Sequence, residues 1–187
     1  MRLNLILKIL IILAMAVFFS ACETVFLNPL SDLRDSKSDK RLLGKWSIKG
    51  EKYNGAYLQF DGGSNLKHNL FAVFGGDTQE QNLVFTMFTT RIGKYSYMNL
   101  NPADKDKDKG YLIVRYAVDG NQLTVWILDT DKIKTAIKSG KLKGTPGQSF
   151  GTTTVSDTPA NIEAFLGSPD NGDLFQDAWR FEKVESK

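Results

Sequence analysis

The sequence predicts a mainly β fold: an antiparallel, eight-stranded barrel or strongly curled sheet, with two short helices before the last strand. Three observations carry this. Segments rich in β-branched and aromatic residues follow one another at short intervals from residue 44 onward. The breaks between them are turn chemistry: Asn54-Gly55, Asp61-Gly62-Gly63, Gly75-Gly76-Asp77, Gly93 and Asp119-Gly120-Asn121, which suits antiparallel hairpins. Eight strands of this kind can close on one another and remove the exposed edges of an open sheet.

The expected strands are 44–49, 56–61, 69–74, 82–92, 94–100, 110–118, 122–128 and 177–184. Alternation is legible in the sixth. Tyr111, Ile113, Arg115 and Ala117 share one face; Leu112, Val114, Tyr116 and Val118 share the other. Only the first face carries a charge, which suits a sheet with one more buried side. In the last strand Trp179, Phe181 and Lys183 fall on one side.

The two helices have their own punctuation. In "DTDKIKTAIKSGKL" the start at Asp129-Thr130 can cap, Ile133, Ala136 and Ile137 form an apolar stripe, and Gly140 can end the helix. In "SDTPANIEAFLGSP" Thr158 can cap and Pro159 suits the first helical position. Ile162, Phe165 and Leu166 make the stripe, and Gly167 and Pro169 stop it.

The N-terminus has a different character. Arg2 and Lys8 precede the apolar run from Ile9 to Phe19. That run covers roughly half of the ~20 residues that a membrane-crossing helix needs. Positive charge, a short apolar core and small residues at its end read as a secretory leader. The only cysteine, Cys22, follows at once. Phe19-Ser20-Ala21-Cys22 resembles the lipobox of bacterial lipoproteins. The resemblance implies that residues 1–21 are removed, that Cys22 is acylated, and that the partner of the N-terminus is a membrane. Family sorting rules associate Asp after the cysteine with the inner membrane. Glu23 in that place implies the outer membrane, facing the periplasm. An acylated Cys22 leaves no thiol for a disulfide.

Residues 22–40 are expected to be the lipidated cysteine and a flexible tether, because "NPLSDLRDSKSDK" is polar and lacks an apolar period. Residues 41–187 are expected to form a single barrel-like domain. The formal net charge is +3, and two of the 24 basic residues lie in the leader, leaving a near balance against 21 acidic ones. That gives no electrostatic footprint for nucleic acid.

Gly44-Lys45-Trp46 opens the first strand, and Arg180 lies in the last. In these residues the chain resembles the lipocalins and lipocalin-like barrels. The resemblance implies structural closure: Gly44 lets chains approach, Trp46 plugs one barrel end, and Arg180 packs over the indole. It also implies a small apolar or amphipathic ligand at the barrel mouth, in a continuous cavity lined by strand residues. Tyr95, Tyr97, Tyr111, Tyr116 and Trp126 are the strand aromatics that could touch such a ligand; the other reading of each is core filling. A second functional reading, an accessory envelope lipoprotein binding a protein partner, requires an exposed apolar patch of roughly several hundred Å².

Catalysis and metal binding have little sequence support, and no enzyme and no cofactor are expected. "GQSFG" (147–151) matches G-x-S-x-G, but no strand precedes Ser149 and no helix follows it. "DKDKDKG" (104–110) starts like a calcium loop, but Lys109 stands where Gly is needed and Arg115 where Glu is needed. His68 is the only histidine, which leaves no zinc ligand set.

Overall fold

The strands close into a barrel because the chain runs as consecutive hairpins and its last strand returns to the first. In the computed structural model, residues 24–32, 39–48, 57–62, 68–73, 82–102, 110–148 and 151–185 are described, with backbone alone at 68–73 and 82–83. The barrel strands are β2 (Gly44–Ile48), β3 (Tyr57–Gly62), β4 (His68–Val73), β5 (Asn82–Ile92), β6 (Tyr95–Pro102), β7 (Leu112–Asp119), β8 (Gln122–Leu128) and β11 (Phe175–Lys183). Neighbours in sequence pair antiparallel from β2 to β8, and β11 lies between β8 and β2. The two helices, α1 (Thr130–Lys138) and α2 (Pro159–Gly167), precede β11, as the sequence predicts.

The period of two divides the apolar residues between two cores. The inner core fills the barrel with Trp46, Phe60, Met87, Met98, Leu123 and Phe181, together with Tyr116 and Leu42. The outer core lies between the barrel wall and the helices. It contains Tyr97, Ile113, Leu128 and Phe175 from the wall, with Ile133 of α1 and Ile162 of α2. Helix starts follow their caps: the Asp129 carboxylate accepts from the amides of Asp131 and Lys132, and Thr158 Oγ1 accepts from Asn161 N.

One bulge lets β11 serve both cores. Between the pairs Phe175↔Leu128 and Trp179↔Val125, β11 advances one residue more than β8. Asp177 takes up the extra residue with φ 52. Phe175 therefore belongs to the outer core, and Trp179 and Phe181 to the inner one.

One expectation is corrected. The tether does not extend through residues 24–32. Thr24–Phe26 form strand β1, which pairs in parallel with β10 (Thr153–Val155). Phe26 is completely buried and Leu30 nearly so. Asn99, itself buried, accepts from Leu30 N at 2.8 Å and donates to Thr90 Oγ1 at 2.9 Å. Asn28 donates to the Asp157 carbonyl, and Ser31 and Thr90 share a hydrogen bond. Polar residues thus tie this strap down through hydrogen bonds, which a search for apolar period cannot see. Strand β9 (Gly144–Thr145) pairs with β10 and completes a three-stranded sheet with β1.

Candidate functional site

The barrel axis is occupied by side chains at the described positions. Trp46 is completely buried and donates its indole N–H to Leu42 O at 2.6 Å. Leu42 belongs to a short 3-10 turn, Lys40–Leu42, that covers this barrel end, and it too is fully buried. Gly44 takes φ +107, which disfavours any side chain, although a Cβ there would meet only ordinary contact with Lys183. The glycine requirement is conformational and does not come from close approach.

Arg180 does not pack over Trp46, which corrects the closure expected from the family resemblance. It is exposed, on the opposite face of β11 from the buried Phe181. Lys183 takes the expected place: it is the register partner of Trp46, and its Nζ stands 5.1 Å from the ring centroid. Alternation decides this, because an odd-numbered neighbour of Phe181 faces inward and Arg180 cannot.

At the same rim the turn residue Asp39 reaches the barrel wall. Tyr116 donates to its carboxylate at 2.9 Å, and Arg41 pairs with it at 2.8 Å. Burial pulls the Asp39 carboxyl upward, but hydrogen bonds from Arg41 and Tyr116 and the charge of Arg41 outweigh it and leave Asp39 below the usual carboxylate range. Burial first, then the Asp39 charge, push the Tyr116 phenol well above its ordinary value.

Next to this contact lies a pocket of about 340 Å³. It forms where the β7–β8 hairpin runs past the end of the β5–β6 hairpin. Ser96↔Tyr116 is the last β6–β7 pair there, whereas β7 and β8 stay paired as far as Asp119↔Gln122. Tyr95, Tyr116 and Trp126 line it, so three of the five candidate aromatics meet in one place. The other two do not join them. Tyr97 is buried in the outer core against Phe175, and Tyr111 packs edge-on to Phe88.

Four cations also line the pocket: Arg41, Arg91, Lys94 and Arg115. Arg115 lies among three rings, with its guanidinium carbon 4.8 Å from Tyr95, 4.9 Å from Trp126 and 5.1 Å from Phe175. Sequence reasoning did not single these cations out as a site. Arg115 left one signal, as the sole charge on its strand face; Arg91 and Lys94 look like ordinary hairpin-end residues until the turn folds them beside it.

Among the described residues, no group of three His, Cys, Asp or Glu side chains could hold a metal ion, and no helix is long and apolar enough to cross a membrane. Cys22, Ser149 and the 104–108 segment lie outside the described residues, as does the His68 side chain. The chain matches no family model, no curated protein and no solved structure.

Proposed function

We propose that the protein is an envelope lipoprotein, anchored through acyl chains on Cys22 at the periplasmic face of the outer membrane, whose lipocalin-like barrel binds a small amphipathic molecule. The rim pocket carries this reading. Its volume of about 340 Å³ suits a small ligand, and it combines aromatic surface from Tyr95 and Trp126 with polar groups at its edge. Among the described residues Trp46, Phe60, Met87 and Met98 occupy the axis in place of the continuous strand-lined cavity that the resemblance implies, so the ligand is taken at the rim.

The anchor fits this arrangement. Two or more acyl chains, at about 0.8 kcal/mol per buried CH₂, hold a domain on a bilayer without a span. Strand β1 begins at Thr24, so no more than about 7 Å of chain separates the Cys22 and Thr24 Cα atoms. The barrel would therefore ride against the membrane surface. The reading as an accessory protein with a protein partner has less support. The large exposed apolar side chains among the described residues are Leu27, just after β1, Ile127 on β8 and Val184, just after β11. Ile127 and Val184 mark opposite ends of β11 and its neighbours.

Native mass spectrometry of residues 23–187 purified from cells, with an organic extract analysed in parallel, tests the ligand. A reproducible small-molecule adduct that Trp126→Ala removes is the expected result. A bare chain mass, with no amphiphile altering Trp fluorescence on titration, overturns it. For the anchor, Cys22→Ser should leave an uncleaved or mislocalised precursor. A mature-sized product with unchanged membrane partition defeats that part of the reading.

A further inference from the structure

We propose that the amphipathic ligand is an anion, a single-chain carboxylate or phosphate monoester, whose acidic head is bound by Arg91, Lys94 and Arg115. This rests on the amphiphile reading above and adds the charge class.

Among the four cations of the pocket, only Arg41 has a carboxylate partner among the described residues, Asp39 at 2.8 Å. Arg91 spends one donor, Nε, on Gly93 O at 3.3 Å, which leaves the outer guanidinium nitrogens for another acceptor. Lys94 stands 5.2 Å from the Tyr95 ring centroid, and Arg115 stands over the same ring. Aromatic faces hold a cation in place but do not neutralise it. No carboxylate lines the pocket.

Lys94 and Arg115 stand over the one Tyr95 ring and repel each other in the empty pocket, Arg91 lines the same pocket, and an arginine cannot relieve the repulsion by losing its proton. An anion between them removes that cost and gains charge-assisted hydrogen bonds, and a guanidinium matches carboxylate and phosphate oxygens two at a time. The Tyr95 and Trp126 rings offer the apolar contact that a tail needs. A bare inorganic anion would leave that surface unused.

The test is fluorescence and calorimetric titration of residues 23–187, which hold every described element, with octanoate, octyl phosphate, octyl glucoside and inorganic phosphate. The double variant Arg91→Gln/Lys94→Gln is titrated beside it. Both residues are exposed, so the fold and its melting temperature should be unchanged. The anionic octyl compounds should bind at least tenfold more tightly than octyl glucoside, with affinity falling as salt is added. The double variant should lose that tenfold and keep its affinity for octyl glucoside.

Equal affinity for anionic and neutral compounds, unaffected by the double variant, overturns the anion assignment and leaves the amphiphile reading standing. If none of the octyl compounds binds, both fall. Inorganic phosphate binding as tightly as octyl phosphate overturns the amphiphile in favour of a free anion. If free amphiphiles do not bind while anionic phospholipid vesicles do, and the double variant abolishes the latter, the cluster reads membrane headgroups and the proposal is overturned.

Discussion

Tyr116 donates its phenolic hydrogen to the Asp39 carboxylate at 2.9 Å, linking the wall of the barrel to the turn that covers its end. The same carboxylate caps the turn amide of Arg41 and pairs with the Arg41 guanidinium. One side chain thus fixes the turn, and through Leu42 and the Trp46 indole, the top of the inner core.

Tyr116→Phe should cost about 1 kcal/mol at neutral pH and progressively less in acid, as Asp39 becomes protonated in both proteins. Asp39 and Asp157 are both held below the usual carboxylate range. Asp157 is held there by the Lys143 amide, the Asn161 side chain and the Thr158 amide, against burial that raises it. A depressed folded pKa gives stability that is present above the unfolded value, about 3.9, and is lost as pH falls through the folded value. Stability should therefore fall below about pH 4, and for Tyr116→Phe the fall should be smaller, because its Asp39 carboxyl lies closer to the unfolded value. At the alkaline end the sign reverses: the raised Tyr116 contributes fully below about pH 10 and its contribution is lost above that. Urea unfolding from pH 2 to 11 checks all three; parallel curves for the two proteins in acid would rule out the Asp39 coupling.

Asn99→Ala should destabilise by about 1–3 kcal/mol, since it leaves the buried Leu30 amide without its acceptor. The loss should be local as well as global. Residues 24–32 should gain hydrogen-exchange rate and protease sensitivity in the variant while the barrel strands keep theirs. Uniform loss of protection over the whole chain would show that the strap and the barrel form one cooperative unit.

Trp46→Ala should cost about 3–5 kcal/mol, because its ring is fully buried in the inner core. Lys183→Met should cost no more than about 1 kcal/mol, the range of a cation held over an aromatic face near solvent. Arg180→Gln should lie within about 0.5 kcal/mol of the parent, as for an exposed side chain away from special features. Chemical denaturation midpoints rank the three; a larger loss for Arg180→Gln than for Lys183→Met would contradict the side-chain placement.

The sequence by itself determined the antiparallel strands, and the pairing of β11 with both β8 and β2 decided that they close into a barrel. Its strands are local features, hairpins whose turn residues and alternating side chains fix register within a few residues, so 82–92 and 122–128 have the boundaries read from the chain. Helix starts at Asp129 and Thr158 were equally local. The tertiary structure alone decided the rest. The strap at 24–32 is held by hydrogen bonds to Asn99, Thr90 and Asp157, which are distant in sequence and carry no pattern in the strap itself. That Lys183 stands over the Trp46 ring depends on the register of β11 against β2, which exists only once the two strands pair. The rim pocket needs Arg91 and Lys94 from one hairpin beside Arg115 and Trp126 from the next. Charge convergence of this kind is a property of strand offset, and offset exists only once the strands are paired.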